Sequence, residues 1–450
     1  MHPKVRDFNW NYESHKSSLI PIELPSDPTP NQILNMEIVS EDLRDGLHGV
    51  ERYPIVEEMI PYVHSLHSFG IRRMTVGIFP GESYIVDRTI KKLLTEMYES
   101  LPNVTPIVLC LASPDSLKWT LECLDNNPKL EAIVFMGTAP MRRLVQQWDF
   151  KDIVKRLADT TKLAVRSGVR VIGATEHTTQ TPPHELEEII KAQVGNGATS
   201  FCIADTIGTS RPVGAYRITQ FTKKVLKNIG HSEVPVEWHG HRDLGNDIST
   251  SMTALSAGAD RVHTVARGIG ERAGNTKLEA LVLNCNQILS EQGQKPPWKL
   301  KLLLNILKEY ENITGTDTPT HGPLAKRFNH TTVGIHADAI EKTHILADEA
   351  RKLGDEKLAK MYDLMASTIY SAVDASLFGG SPIDAGVGPW SGHKNVHLSY
   401  RRIIGTASTL TIEEVEKTLH LTRKLGRELS REELVKIFSK EELPSTQLGE

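Results

Sequence analysis

The sequence predicts an α/β protein: a (β/α)8 TIM barrel followed by a smaller, mainly helical C-terminal region. Two observations predict it. Eight short apolar runs of strand length alternate with helix-length amphipathic stretches between residues 36 and 265, and eight such units suit a closed parallel barrel better than an open doubly wound sheet. Beyond them the strand signals stop, and helical periodicity returns on its own.

Residues 1–34 read as an irregular N-terminal extension, because Pro21, Pro25, Pro28 and Pro30 discourage regular structure. Strands are expected near 36–40, 72–78, 105–111, 131–136, 168–174, 199–204, 234–238 and 261–265. Between them, stretches such as Val86 to Glu99 and His184 to Gly195 carry the helical period. Leu278 to Glu291 and Lys299 to Lys308 repeat it after the eighth strand. The polar stretch Thr314 to Pro323 then breaks the pattern, which puts the barrel domain at 35–320 and a C-terminal subdomain at 321–450. Within the latter, 337–370 looks helical and charged, and 376–392 is rich in glycine and proline. Thr411 to Phe438 reads as two helices, the first capped by Thr411 with Glu414 three residues on.

A hydrophobic content of 39% and a charged content of 24% describe a soluble globular chain. The formal net charge of -4 offers nucleic acid no broad attraction, and neither a zinc-finger spacing nor a long basic run is present. No apolar run reaches the roughly 18 residues of a membrane span, and the N-terminus lacks a hydrophobic signal core. Cys110, Cys123, Cys202 and Cys285 are widely spread, which suits buried free thiols in a reducing compartment. The expectation is a cytoplasmic enzyme with no nucleic-acid or membrane partner.

The segment from Glu237 to Glu279 is the most informative. His239 and His241 flank one glycine at the end of a predicted strand. Strand side chains alternate faces, so both imidazoles point the same way and can grip one metal ion, with an acid as the usual complement. His-x-His alone says little; its context says more. Leu43-Arg44-Asp45-Gly46 follows the first strand, Gly268-Ile269-Gly270-Glu271-Arg272-Ala273-Gly274-Asn275 follows the eighth, and Gly334-Ile335-His336 lies further on. Together with His239-x-His241-x-Asp243, these four motifs occur in the order found in the metal-dependent synthases of 2-isopropylmalate, homocitrate and Re-type citrate. Over roughly residues 35 to 345 the chain resembles that family, which also includes 3-hydroxy-3-methylglutaryl-CoA lyase.

The resemblance implies a site at the carboxyl end of the barrel, where such enzymes work. Asp45, His239 and His241 would bind a divalent cation (Mg2+, Mn2+ or Zn2+), with Asn275 beside them. Arg44 would stabilise negative charge on an enolate or ketone oxygen. His48 stands where relatives usually have Gln and can still donate to substrate. The resemblance points to His336 as the base that makes an enolate from acetyl-CoA, to Glu176 as its partner and to Tyr370 as an assisting group. Because that histidine follows the barrel and can reach a neighbouring subunit, a homodimer is implied. Asp205 and Thr206 match the family's DTxG turn, where Asp205 either orients a ligand or caps its loop. Arg142 and Arg143 follow the fourth strand; either can pair with a substrate carboxylate or a CoA phosphate, and a solvated helix start is the alternative. Gly270 and Glu271 lie in the glycine loop, whose amides can approach the acyl-CoA; its spacing is not that of a dinucleotide fingerprint.

Several positions depart from the pattern. Thr75 stands where strand two normally carries an acid, Gln180 where an arginine is common, and Arg242 and Thr250 where relatives often carry Asn. These changes touch the pocket that measures the 2-oxo acid. Trp238-His239-Gly240-His241 and Gly334-Ile335-His336-Ala337-Asp338 are more similar to the Re-type citrate synthase branch, which favours oxaloacetate. The reading is therefore a Claisen-type acyltransferase condensing acetyl-CoA, as co-substrate, with a 2-oxo acid. The alternatives are a hydroxyacyl-CoA lyase, against which the glycine loop's lack of cysteine counts, and a non-catalytic paralogue.

Overall fold

Each of the eight expected strands is present, and together they close a barrel. The structure, a computed structural model, describes residues 7–11, 26–405 and 410–441. The strands are β1 (Glu37–Ser40), β2 (Arg73–Ile78), β3 (Thr105–Leu111), β4 (Glu131–Phe135), β5 (Arg170–Ala174), β6 (Ser200–Asp205), β7 (Val236–Gly240) and β8 (Arg261–Thr264). All neighbours are parallel and in chain order, and β8 returns to β1 with Ile38 opposite Val262 and Ser40 opposite Thr264.

Helices cover the outside because one stripe of each is apolar. In Tyr84–Ser100 the buried residues are Ile90, Leu93, Leu94 and Met97, spaced three and four apart on one helical face. Pro102 discourages continuation past Leu101. The helix Leu278–Glu291 has the bounds its periodicity predicts. The next one differs: Leu300–Leu302 forms a 3-10 turn, and the α-helix runs Leu303–Thr314 before Gly315 stops it in the left-handed conformation at φ 70°.

Inside the barrel the two sides differ. Val39, Ile107, Leu109, Ile133, Ile172, Ala174 and Cys202 form one apolar cluster, dominated by β3 to β6. Toward β7, β8, β1 and β2 the buried side chains are Glu237, His263, Glu41, Thr75 and Arg73.

The N-terminal stretch is more ordered than its prolines suggest. Pro30 opens a helix, Pro30–Asn35, at the one position where a missing N–H costs nothing, and Thr29 and Gln32 cap it reciprocally. Upstream, Trp10 is buried against Phe221 with ring centroids 5.2 Å apart, and its indole donates to the Thr181 carbonyl at 3.1 Å. Phe8 N donates to the Gln180 carbonyl and Asn11 Nδ2 to that of Thr209. Residues 7–11 are thus tied to the loops that follow β5 and β6. Pro21 and Pro25 lie outside the described residues.

The chain divides into two compact units at Asp317/Thr318. The second has its own core of Val387, Val396, Tyr400, Val415, Leu419, Leu429, Leu434 and Phe438. The helical stretch near 337–370 is two helices, Gly334–Lys352 and Glu356–Thr368, packed on each other. In the tail, Ile412–Leu425 begins with the predicted Thr411/Glu414 capping box, and Arg431–Phe438 follows. Two features were not anticipated. Asp384–Ala385 pairs in parallel with His330–Thr331, and the helix His393–Ile404 follows the glycine-rich stretch.

Candidate metal centre

The carboxyl ends of β1, β7 and β8 build the site. His239 lies on β7 and His241 just beyond it, and parity puts both on one face as expected: their Nε2 atoms are 3.3 Å apart. Asp45 begins a 3-10 turn, Asp45–Leu47, in the loop that follows β1. Its Oδ2 is 3.8 Å from both Nε2 atoms. The turn is sterically set at Gly46, where a Cβ would stand 2.6 Å from Tyr310 Oη, the group that donates to the Gly46 carbonyl.

From the other side the glycine loop closes on Asp45. The Glu271 backbone N–H donates to Oδ1 at 3.1 Å and Asn275 Nδ2 at 2.8 Å. Gly270 has φ 147°, and a Cβ there would lie 2.0 Å from Asn275 Nδ2 and 2.7 Å from Asp45 Oδ1. Only glycine lets this loop touch the carboxylate. Arg44 Nη1 donates to Oδ2 at 2.6 Å, and Arg44 Nε donates to Glu41 at 2.9 Å.

The electrostatics keep every group in its ligating form. Burial pushes the Asp45 carboxyl up, but Arg44, His239, His241 and the Asn275 amide outweigh it and hold the group well below the usual carboxylate range. Burial drives His239 down to about 3 against the pull of Glu41, and it lowers His241 as well, so both rings are neutral with a lone pair to offer. His241 Nδ1 meets the Gly274 carbonyl at 3.2 Å, which turns Nε2 toward Asp45.

This donor set fits a divalent cation. Two ligands about 2.1 Å from one ion, at angles of about 90–110°, lie about 3.0–3.4 Å apart, which matches the imidazole pair. Asn275 Oδ1 is buried with no hydrogen-bond partner, a spare oxygen beside the triplet. One carboxylate and two imidazoles accept magnesium, manganese or zinc. His263 also lies near His239, but it is a bridge: Nδ1 is 2.7 Å from Glu41 and Nε2 2.9 Å from Glu237. Burial lowers its pKa, yet Cys202 and the two carboxylates raise it well above the ordinary value.

The other singled-out residues fall into three groups. His48 lies at the rim, its Nδ1 3.3 Å from Glu271, both about half exposed. Glu176 follows β5 with Arg142 Nε at 3.7 Å and His177 Nδ1 at 3.4 Å. Arg143 points elsewhere, donating to both oxygens of Glu185 at 2.7 and 2.8 Å. Asp205 accepts from Thr179 at 2.9 Å and from the Ser210 N–H at 3.1 Å, while the Thr206 hydroxyl accepts the His177 N–H at 2.8 Å. These bonds tie the β5 and β6 loops together. In the second unit His336 and Tyr370 stack with centroids 3.9 Å apart, and Thr331 Oγ1 meets His336 Nδ1 at 3.0 Å.

Sequence reasoning missed Glu41, Glu237, His263 and His177. Glu237 follows from the same parity that exposed the histidine pair, since it precedes His239 by two, whereas Glu41 and His263 meet only when β8 pairs with β1. His177 holds φ 62°, unusual for a non-glycine residue, and its Nδ1 is buried without a hydrogen-bond partner.

The fold is a TIM barrel whose carboxyl end gathers an acid and two imidazoles that could hold a metal ion, and the family follows from the sequence match. The chain belongs to the HMGL-like family, whose model matches residues 35–308. Among its relatives, a 2-isopropylmalate synthase of Pyrococcus abyssi is 28% identical over 70% of this chain and 65% of its own length. A homocitrate synthase of Methanopyrus kandleri is 25% identical over 69% of this chain and 74% of its own. The chain spans less than two thirds of the length of the isopropylmalate synthases it matches first. A solved hydroxymethylglutaryl-CoA lyase of Pseudomonas aeruginosa superposes with a TM-score of 0.52 at 17% identity, over 66% of this chain and 96% of that one, a likeness of fold. No helix among the described residues is long and apolar enough to cross a membrane.

Proposed function

We propose that the protein is an acyltransferase that condenses acetyl-CoA with a 2-oxo acid, releasing CoA and a 2-hydroxy-2-carboxymethyl acid. The observation that carries this reading is the meeting of Asp45, His239 and His241 beside Arg44 and the glycine loop at the barrel's carboxyl end. The sequence similarity to 2-isopropylmalate and homocitrate synthases supports it.

A divalent cation held by Asp45, His239 and His241, with Asn275 alongside, would supply Lewis acidity toward a ketone oxygen. The protein's own groups do the rest. His336 takes a proton from the acetyl methyl group, with the Thr331 hydroxyl 3.0 Å from its Nδ1 and Tyr370 stacked on the ring. Glu176 is the proposed acid partner of that histidine. The acetyl carbon bonds to the ketone carbon as the carbonyl π bond breaks, and the ketone oxygen, still bonded to that carbon, takes up a proton and becomes the product hydroxyl. Arg44 holds negative charge during that step. Water then cleaves the thioester C–S bond, releasing CoA and a new carboxylate. His48, Arg142 and the Asp205–Thr206 loop are the proposed contacts to the acid and to CoA, along with Gly270 and Glu271. Arg143 is the weakest of the proposed contacts, since Glu185 already occupies it.

The patterns around His239 and His336 favour oxaloacetate. The test is CoA release from acetyl-CoA across oxaloacetate, 2-oxoglutarate, 2-oxoisovalerate and pyruvate, with magnesium or manganese and the product identified by mass. One preferred acid supports the reading and names the substrate. No release with any of them, in folded and metal-loaded protein, overturns it. The reading includes a homodimer, which mass determination by light scattering tests.

A further inference from the structure

Asp45 Oδ2 has two claims on it. It faces both imidazole Nε2 atoms at 3.8 Å, and it accepts Arg44 Nη1 at 2.6 Å. A guanidinium laid bidentate on this carboxylate would match its charge and shape and shut out a second cation. Arg44 does not lie that way. Its Nε and Nη2 edge is turned to Glu41 Oε2, at 2.9 and 2.7 Å, so Nη1 alone reaches Asp45. Glu41 is itself fixed. Thr75 Oγ1 donates to its Oε1 at 3.1 Å from β2, and His263 Nδ1 lies 2.7 Å away from β8. Its side chain is 1% exposed and that of Arg44 11%, so solvent does not loosen the pair.

We propose that Glu41 is a positioning residue: it anchors the Nε–Nη2 edge of Arg44 and so keeps Asp45 Oδ2 open to a divalent cation. The proposal rests on reading Asp45, His239 and His241 as a metal centre. Glu41 Oε1 also lies 3.8 Å from His239 Nδ1, behind the ligating nitrogen, but its hydrogen bonds reach Asp45 through Arg44. Without its carboxylate, the guanidinium has one acid left to pair with, and that acid is the metal ligand. A carboxylate kept only to balance a buried charge would affect folding and nothing else.

Manganese titration calorimetry on the full chain separates the two, using wild type, Glu41→Gln, Arg44→Met and the double variant. Glu41→Gln weakens Mn2+ binding by about tenfold or more. Arg44→Met has a small effect in wild type but recovers most of the loss in the Glu41→Gln background, so the two changes are not additive. Equal effects of Arg44→Met in both backgrounds overturn the proposal, since a general change of field is additive. So does wild-type affinity in Glu41→Gln. Melts in EDTA show whether each variant folds. If Glu41→Gln does not, Glu41→Asp takes its place; its shorter carboxylate must give an intermediate affinity, restored by Arg44→Met. CoA release on the same proteins falls in kcat for Glu41→Gln and stays low in the double variant, which lacks Arg44. Wild type that binds Mn2+ without releasing CoA refutes the condensation reading, while the calorimetric test of Glu41 still stands. Wild type that binds none of Mn2+, Mg2+ or Zn2+ overturns both.

Discussion

Asp45→Asn changes charge while keeping shape, and the structure sets what it should cost. Asp45 Oδ1 accepts two N–H groups, from Glu271 and Asn275, and Oδ2 accepts Arg44 Nη1. An asparagine offers one acceptor and one donor group, so either rotamer turns an NH2 toward donors. With NH2 at the Oδ1 position, two N–H bonds are lost. With NH2 at Oδ2, the loss is the single charge-assisted bond to Arg44, about 1.5–3 kcal/mol, and the cheaper rotamer is adopted. Metal-free protein should therefore lose about 2 kcal/mol at pH 7.5, read by urea denaturation in EDTA. The sign with pH follows from the carboxyl being held below its ordinary range. Its contribution is fully present above the unfolded-state pKa and fades only as pH falls below about 4, so the gap to wild type stays constant from pH 8 to about 5. The same rotamer points an NH2 at the imidazole pair, and Mn2+ affinity should fall by more than about a hundredfold, beyond the usual loss for an outer-shell group. Wild-type Mn2+ affinity in Asp45→Asn would refute Asp45 as a ligand. Unchanged apo stability at pH 7.5 would refute the hydrogen-bond reasoning.

Gly270→Ala places a methyl 2.0 Å from Asn275 Nδ2; it should break the Asn275–Asp45 bond and weaken Mn2+ binding about tenfold or more in calorimetry, and no change would show that the loop need not touch Asp45. Trp10→Ala removes a buried indole tied to Thr181 and should cost about 3 kcal/mol in denaturant melts; a loss under about 0.5 kcal/mol would mean the segment contributes nothing to barrel stability. Burial pushes the Asp42 carboxyl up to about 6 against hydrogen bonds from Ala266, Ser40 and Tyr62. A raised pKa stabilises below the unfolded value and is lost as pH rises through about 6, so Asp42→Asn should gain on wild type by up to about 3 kcal/mol between pH 4 and 7; a flat difference across that window would place the pKa elsewhere. His336→Gln should abolish CoA release and leave Mn2+ affinity unchanged, and a loss of both would make its role structural.

The barrel was legible because most of its strands, β3 to β6 above all, are short apolar runs separated by helices that signal their own period. The histidine pair was legible for a related reason: strand parity is local, and two residues apart means the same face. What stayed hidden depends on closure. Glu41 and His263 are far apart in sequence, yet they touch because β8 pairs with β1. Arg143 reads as a free cation beside a strand end until the helix carrying Glu185 packs beside it. Trp10 sits in a segment without periodicity, and only the assembled loops after β5 and β6 give its ring a place. The helix His393–Ile404 escaped because His393, Lys394 and His397 interrupt its apolar stripe, and because Gly392 precedes it where a capping side chain would announce it.

The charges inside the barrel are placed in a way that stability does not explain. Glu237 accepts from Ser200 and Arg261, His263 joins it to Glu41, and Glu41 holds Arg44, so an unbroken hydrogen-bonded row runs from β6 to the turn after β1. Desolvation makes such a row at best neutral beside well-packed apolar side chains of equal volume. The same barrel shows that apolar filling is available to it, since its other side is packed with Ile107, Leu109, Ile133, Ile172 and Ala174. The row lies on the strands that carry Asp45, His239 and His241 at their ends. A chain of short, directional bonds fixes side-chain angles where dispersion contacts only exclude volume. That is the property a ligand set needs, because an imidazole turned away from its Nε2 partner no longer shares an ion with it. The interior is thus divided by task, with packing on β3 to β6 and orientation on β7, β8, β1 and β2.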